Sequence, residues 1–311
     1  MNVRTRSRRI PLGPWGITLK MRADRAYAIS RSAPYRFVAK PFLDAMGRAA
    51  IRLDSRLARV PLPDGVENTP ATRKLWARVQ GVHWYHTIDL GHGVVTPGGF
   101  DHRPIVNRYH LPERLNGLRV LDVASFDGFW AFELERRGAR QVVALDLECA
   151  AELDLPPVVR EAMINDGSNN FFGTGFRLAA EALASRVQHK TLNVYDLSPR
   201  RIDGTFDFVF CGDLLLHLMN PVKALQNIRS ITRGEARFVD VFNPELDEID
   251  GPPVLRYFGG WNLCTWWIPS RKCLVQMIKD AGFRQVEVLD TFELAEKDGS
   301  PLWRAIIRAL P

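Results

Sequence analysis

Apolar strand patterns alternate with helical patterns from about residue 117 onward, and this alternation constrains the fold more than any other feature of the chain. Apolar strands that are joined through helices form parallel sheets covered on both faces. We therefore predict a doubly wound, mostly parallel seven-stranded sheet. The predicted strands are 119–124, 141–147, 187–197, 206–213, 236–242, 284–290 and 302–310. The predicted helices are 128–138, 171–185, 221–232 and 270–281.

Two local signals refine this prediction. Gly282 follows the last predicted helix and is expected to serve as its C-cap. The last two strands are joined by a short link, which favours an antiparallel pair at one edge of the sheet.

The region before the sheet divides into several parts. Residues 1–36 mix arginine, proline and small residues with little periodicity, so we expect little regular structure there. Apolar residues recur every three or four positions over 41–60 and predict a helix. Residues 61–70 have the composition of a linker, and a short helix is expected at 70–80. The arginines of the 41–60 helix fall largely opposite its apolar stripe; they are Arg48, Arg52, Arg56 and Arg59.

Positive charge is concentrated at the start of the chain. Residues 1–80 hold 17 Lys and Arg against 5 Asp and Glu, a net charge of +12, whereas residues 81–311 hold 25 against 30, a net charge of −5. We therefore divide the chain into a basic, partly helical extension (1–80) and an α/β domain (81–311). The excess favours contact of residues 1–60 with an anionic surface, either a lipid membrane or RNA. A solvated extension without a partner is the alternative.

Several classes of protein are disfavoured by what the sequence lacks. No two of the four cysteines form a CxxC pair, so we expect no metal site and a reducing, cytoplasmic compartment, with peripheral contact to a membrane as an option for the basic extension. No apolar run reaches the ~18 residues of a membrane span. The HExxH, GxSxG and Walker motifs are also missing from the sequence, which argues against metalloprotease, serine hydrolase and phosphoryl-transfer chemistry.

Acidic residues follow three successive predicted strands. The first strand leads into DVASFDG, in which Gly128 begins the next helix; the second ends at Asp146, and the third ends near Asp196. Ligands of open α/β sheets bind beyond the carboxyl ends of the strands. A helix N-terminus favours an anionic group, and a carboxylate after the second strand can accept hydrogen bonds from ribose hydroxyls. Together these positions predict a nucleoside-binding site.

Four segments resemble class I S-adenosylmethionine-dependent methyltransferases, in particular a family similar to the tRNA wobble-uridine (5-methoxyuridine-34) methyltransferases. These segments are WYHTIDLGHGVVTPGGFDHRP, VLDVASFDGFWAFELERRGA, GDLLLHLMNPVKALQNI and WWIPSRKCLVQMIKDAGF. The resemblance covers residues 80–310 and implies a Rossmann-like fold and S-adenosyl-L-methionine as cofactor. Ala124 and Phe126 stand where the family has glycines, which keeps a catalytically inactive nucleoside-binding module open as an alternative. An NAD-dependent oxidoreductase is a third reading, but it needs a GxGxxG turn that DVASFDG does not provide.

The resemblance implies which residues hold the cofactor. Residues 122–128 would surround its methionine part, Asp146 would hold the ribose, residues 194–196 would bracket the adenine, and residues 211–213 would form the floor. The cofactor-binding residues predicted in this way are Asp122, Ala124, Phe126, Asp127, Gly128, Asp146, Val194, Tyr195, Asp196 and Cys211.

The acceptor side is predicted partly from chemistry and partly from the resemblance. His217 follows the fourth strand, and an imidazole suits removal of a hydroxyl proton near neutral pH; His86 and Asp213 are the other catalytic candidates. The expected substrate residues are Arg103, Trp266, Trp267 and Arg304, with Trp261 in the same connection as the two tryptophans. The acceptor is expected to be a small molecule, a glycolipid or a tRNA.

The resemblance also bears on which form of the cofactor is used. The tRNA enzymes that use a carboxylated cofactor have a tyrosine where Leu216 stands and a lysine near the position of His86, and only their arginine on the last strand is matched, by Arg304. We therefore expect ordinary S-adenosyl-L-methionine.

Overall fold

The computed structural model describes residues 7–12, 17–22, 61–165, 172–259, 264–295, 297, 299 and 301–311. Strands β1 (Ser7–Leu12) and β2 (Ile17–Arg22) pair antiparallel within the segment for which we expected little regular structure. The sequence of β2 explains this difference, because its apolar residues Ile17, Leu19 and Met21 alternate with polar ones, a period-two pattern that favours a strand. The predicted 41–60 helix and Trp261 lie outside the described residues.

The main sheet has seven strands, which confirms the predicted fold class. They are β3 (Arg119–Val123), β4 (Gln141–Asp146), β5 (Gln188–Thr191), β6 (Phe206–Gly212), β7 (Thr232–Phe242), β10 (Gln285–Ala295) and β11 (Pro301–Leu310). Their order is β10-β11-β7-β6-β3-β4-β5. Strands β3 to β7 are mutually parallel, whereas β11 runs antiparallel to both β7 and β10. The predicted antiparallel pair therefore lies at one edge, with β10 outermost.

Three strands differ from their predictions by four residues or more in length. Strand β10 runs on from the predicted end at residue 290 to Ala295, because β11 pairs with it up to that residue. Strand β5 ends at Thr191 and not at residue 197, because the Asn193 side chain accepts a hydrogen bond from the Tyr195 N–H (2.9 Å) and turns the chain into a 3₁₀ helix, Val194–Asp196. Strand β7 begins at Thr232, four residues before the apolar run that predicted it. A small separate sheet pairs β8 (Leu255–Tyr257) with β9 (Trp267–Pro269), and neither strand was predicted.

Six α-helices are present among the described residues. They are α1 (Pro70–Gln80), α2 (Phe129–Arg136), α3 (Pro157–Asn165), α4 (Thr174–Ala182), α5 (Pro221–Ile231) and α6 (Arg271–Asp280). Side-chain caps fix several starts: the Ser270 hydroxyl accepts from the Cys273 N–H, which begins α6. The C-cap of α6 is Ala281, and the predicted Gly282 is the following residue, with φ of +100°. Helix α3 was not predicted.

Helices cover both faces of the main sheet. Alternate residues of one strand point into different cores: Leu121 and Val123 of β3 join a cluster under α5 and α6, whereas Val120 joins a cluster under α1, α2 and α4. The carboxyl ends of the parallel strands β3 to β7 meet at one edge of the sheet, which is where open α/β sheets bind their ligands. No helix in the described part of the chain is long and apolar enough to cross a membrane.

Candidate active site

A cavity of about 340 Å³ opens at the carboxyl ends of the parallel strands. The last residues of β3, β4 and β6 reach it, as do Val241 near the end of β7 and residues that follow β5. This is the edge at which the sequence predicted a ligand site. The polar and ionisable residues that line the cavity are His83, Tyr85, His86, Asp122, Asp146, Glu152, Asp154, Asn193, Asp213, His217, Cys264, Thr265 and Arg304.

The turn between β3 and α2 holds a strained backbone. Ala124 and Phe126 have φ angles of +59° and +50°. They stand where the methyltransferase family that this sequence resembles has glycines. L-residues adopt this left-handed region at a cost of roughly 1–2 kcal/mol each. The turn therefore has the backbone conformation of a glycine-rich turn, although alanine and phenylalanine occupy the two positions. It is tied to β4 by the Ser125 N–H, which donates to the Leu145 carbonyl (3.0 Å).

Asp146 ends β4 and faces both this turn and the cavity. Its Oδ2 accepts from the Phe126 N–H (2.5 Å) and its Oδ1 from the Leu147 N–H (2.7 Å), so both oxygens are oriented by backbone donors. Each oxygen keeps a further lone pair. Burial raises the pKa of Asp146 to about 6. The group is thus a fixed hydrogen-bond acceptor in the cavity wall.

Asp122 is a second buried acid at the same edge. Its side chain is 1% exposed, and its Oδ2 has no hydrogen-bond partner among the described residues. Burial raises its pKa to about 7. A buried acceptor without a donor costs about 1–3 kcal/mol, and a ligand that brings an N–H or O–H group would remove that cost.

His217 lies in the 3₁₀ helix Leu215–His217, directly after β6. Its Nδ1 is 2.6 Å from the carbonyl oxygen of Cys264. Because a carbonyl oxygen can only accept, Nδ1 carries the proton and Nε2 carries the lone pair. Burial lowers the pKa of His217, so the imidazole is neutral at neutral pH. The ring therefore presents a base of fixed tautomer to the cavity.

Asp213 and Arg304 form a buried ion pair beside His217. Arg304 Nε lies 3.0 and 2.9 Å from the two carboxylate oxygens of Asp213, and its Nη2 lies 2.9 Å from Oδ2. The Tyr85 hydroxyl donates to the same Oδ2 (3.3 Å). Although both ion-pair residues line the cavity, their charges compensate each other.

Asp127 has a different position from the one predicted. It does not line the cavity; its Oδ2 accepts from the N–H groups of Tyr85 (2.9 Å) and His86 (2.8 Å), and its Oδ1 contacts His86 Nδ1. Asp127 therefore fixes the loop that carries His86, while the His86 ring, stacked on Phe129, reaches the cavity.

The structure brings nine of the predicted site residues together around the cavity. They are Asp122, Ala124, Phe126, Asp146, Val194, His217, His86, Asp213 and Arg304. Most of them lie at or just after the carboxyl ends of the parallel strands β3 to β6, whereas Arg304 comes from the antiparallel strand β11 and His86 from the loop before the sheet.

The other predicted site residues do not line the cavity. Asp196 is exposed, Cys211 is buried in the core, and Arg103 pairs with Asp101 (2.7 Å) on the surface. Two tryptophans support the wall from behind: the Nε1–H of Trp266 donates to the Asp154 carbonyl (2.6 Å) and that of Trp267 to the Leu218 carbonyl (3.0 Å). Gly128 caps α2 with φ of +92° and is likewise outside the lining, as is Tyr195.

Several lining residues were not predicted from the sequence, and Asp154 is one that links two segments. Its Oδ2 accepts from the Tyr195 hydroxyl (2.5 Å) and from the Met219 N–H (2.7 Å), so it joins the segments that follow β5 and β6. Glu152 lines the cavity from the same connection. That connection has neither a helical nor a strand period, so nothing in the sequence marked these residues. No group of three or more His, Cys, Asp or Glu suited to a metal ion occurs among the described residues.

Some known proteins resemble this chain in sequence, and others resemble it in fold. No family profile matches the chain. A tRNA U34 carboxymethyltransferase from Campylobacter hominis is 27% identical over 177 residues, 56% of this chain and 53% of that protein. A tRNA U34 carboxymethyltransferase from Desulforapulum autotrophicum is 25% identical over 174 residues, 55% and 46% of the two chains. The chain thus spans about half the length of these curated relatives.

Solved structures share the fold at low sequence identity. The N-terminal domain of EvdMO1 with SAH bound has a TM-score of 0.54 at 16% identity, and the match covers 80% of this chain and 99% of that one. The same domain in the presence of SAH and D-fucose gives a TM-score of 0.52 with the same identity and coverage.

Sheet order and the solved structures agree on the fold. The chain has the Rossmann-like fold of class I S-adenosylmethionine-dependent methyltransferases. In sequence it resembles the tRNA U34 carboxymethyltransferases, and both the fold and this resemblance confirm expectations from the sequence.

Proposed function

We propose that the protein is an S-adenosylmethionine-dependent methyltransferase that methylates a hydroxyl oxygen. The observation that carries the proposal is the cavity at the carboxyl ends of β3, β4 and β6, into which Asp146 faces with two oriented oxygens. A carboxylate in that place suits the two hydroxyls of a ribose. The unpartnered Asp122 Oδ2 suits a hydrogen-bond donor of the cofactor. The residues present therefore fit the cofactor.

S-adenosylmethionine, when bound, supplies a methyl group on a positively charged sulfur, which leaves the protein to position the acceptor and to receive its proton. His217 receives the hydroxyl proton at Nε2, because Nδ1 already donates to the Cys264 carbonyl. Asp146 and Asp122 would hold the cofactor, which would supply the methyl group that replaces this proton on the hydroxyl oxygen and would leave as the neutral thioether. The imidazolium of His217 then returns its proton to solvent.

His86 and Asp213 have supporting roles in this proposal. His86 is held by Asp127 and forms part of the cavity wall. Asp213 is engaged by Arg304 and by the Tyr85 hydroxyl, which leaves it poorly placed to take a proton. His217 is the catalytic base because its free nitrogen is not engaged by a charged neighbour.

Two acceptor classes have support. The many apolar side chains of the cavity, among them Leu216, Leu218 and Ile268, favour an acceptor with apolar surface, either a small molecule or a glycolipid. A tRNA is the second candidate, supported by the names of the curated relatives and by the net charge of +12 over residues 1–80. In either case contact with an anionic surface would come from residues 1–60.

Calorimetry with the full chain tests the cofactor assignment. We expect S-adenosylmethionine to bind with 1:1 stoichiometry and NAD to give no heat of binding. Transfer of a labelled methyl group to sugar, phenol, glycolipid and tRNA acceptors then tests the activity. Binding without transfer to any of these acceptors would favour the inactive nucleoside-binding module, and binding of NAD alone would refute the proposal.

A further inference from the structure

The walls of the cavity are acidic. Five carboxylates line it, whereas Arg304 is the one lysine or arginine among the described lining residues. The pairing of that arginine therefore decides whether a negatively charged ligand group finds a counter-ion. The five carboxylates are those of Asp122, Asp146, Glu152, Asp154 and Asp213.

The Arg304 guanidinium is already neutralised where it stands. Asp213 engages it through Nε and Nη2, at 2.9 to 3.0 Å. Its Nη1 donates to the Leu294 carbonyl (3.2 Å), and the ring of Phe100 lies 5.0 Å from its central carbon. The side chain is only 1% exposed. Because a buried arginine that is paired in this way has little charge to offer, a second carboxylate would have to displace Asp213 to use it.

We propose that Asp213, by neutralising Arg304, restricts the transferred group to an uncharged methyl and excludes the carboxylated cofactor. The inference rests on the proposed function and concerns the same cavity. The curated relatives are named carboxymethyltransferases, and a carboxymethyl group adds a negative charge next to the reacting carbon. In this cavity that charge would meet carboxylates and no unpaired cation. Asp213 is thus a specificity-determining residue that acts through Arg304.

The experiment compares the affinity of the full chain for two ligands by calorimetry. The first is S-adenosylmethionine, and the second is S-adenosylmethionine carboxylated on its transferable methyl group. For the unmodified protein we expect the carboxylated ligand to bind at least 30-fold more weakly. In D213N, which keeps an oxygen for Arg304 but removes the negative charge, we expect the ratio of the two dissociation constants to shift at least 10-fold toward the carboxylated ligand. A merely structural role of Asp213 would weaken both ligands equally and leave the ratio unchanged.

Two control variants separate the freed cation from the general charge of the cavity. E152Q removes a lining carboxylate without freeing an arginine, so its ratio should shift less than about 3-fold. The double variant D213N/R304Q removes the cation as well and should return the ratio close to that of the unmodified protein. A shift in E152Q as large as that in D213N would overturn the proposal.

The unmodified protein also tests the inference by itself, in case D213N fails to fold. If it binds both ligands within 3-fold of each other, the inference is wrong, while the proposed function stands. If it binds neither ligand, the proposed function fails first, and the inference fails with it.

Discussion

Replacement of His217 by asparagine tests the proposed base while it preserves the local fold. The asparagine amide can donate to the Cys264 carbonyl in place of Nδ1–H, which is 2.6 Å from that oxygen in the structure. What the variant loses is the lone pair of Nε2. General-base catalysis contributes about 10²–10⁴-fold, which corresponds to about 2.7–5.4 kcal/mol in the activation free energy. We therefore expect kcat to fall by that factor while the dissociation constant of S-adenosylmethionine stays unchanged.

The pH profile of kcat/KM adds a second readout. His217 must be neutral to accept a proton, and burial lowers its pKa from the usual 6.5. His217 should therefore contribute an acidic limb that lies below pH 6.5 in the unmodified protein and is absent from His217→Asn. Titration of Asp122 and Asp146, with pKa values of about 7 and about 6, should affect both proteins alike. His92→Asn is the matched control, because His92 is an exposed histidine at the surface that pairs with Glu67. Normal turnover in a folded His217→Asn variant would refute the reasoning and leave His86 as the candidate base.

Three further predictions address the cofactor and the basic extension. Asp146→Ala should weaken S-adenosylmethionine binding by about 3–6 kcal/mol through the loss of two hydrogen bonds to a charged acceptor, whereas Asp203→Ala, at an exposed carboxylate, should leave calorimetric affinity unchanged. Equal affinities in the two variants would place the cofactor elsewhere. Asp122→Asn removes an acid whose pKa, about 7, lies above its unfolded value near 4. Asp122 therefore destabilises the cofactor-free fold increasingly from about pH 4 to pH 7, by up to about 4 kcal/mol, and the gain in melting temperature of the variant should be larger at pH 8 than at pH 5. A gain that is independent of pH would contradict the assigned shift. If tRNA is the partner of the +12 extension, the logarithm of its affinity should fall by about 0.7–0.9 per log unit of salt for each phosphate contacted, and salt-independent binding would exclude this electrostatic contact.

The central strands could be predicted from the sequence because they are buried on both faces and therefore read as continuous apolar runs. Strand β5 is the counterexample: its sequence is QHKT, it lies at an edge, and its predicted length came mostly from residues that form the following turn. Strands β8 and β9 have three residues each, too few for a period to be detected.

Some residues of the candidate site could likewise be predicted from the sequence, whereas others could not. Asp146 and His217 could be predicted because Asp146 ends β4 and His217 lies in the turn that follows β6, and the carboxyl ends of parallel strands meet at one edge. Asp154 could not be predicted, because it lies in an irregular connection whose course has no periodic signal in the sequence. Position along the chain was misleading for Asp196 and Arg103. Asp196 lies in an exposed turn and Arg103 forms an ion pair on the surface, so neither side chain lines the cavity.

The position of β11 between β7 and β10 has a consequence for how the protein folds. Val241 of β7 pairs with Arg304 of β11, so the outer edge of β7 keeps unpaired N–H and C=O groups until residues 301–310 have been synthesised. An unpaired central strand is a template for pairing with other chains, and such long-range pairings form slowly. A chain truncated before Pro301 is therefore expected to aggregate, which light scattering during refolding would detect. A monodisperse truncated chain would mean that the edge of β7 is protected in some other way during synthesis.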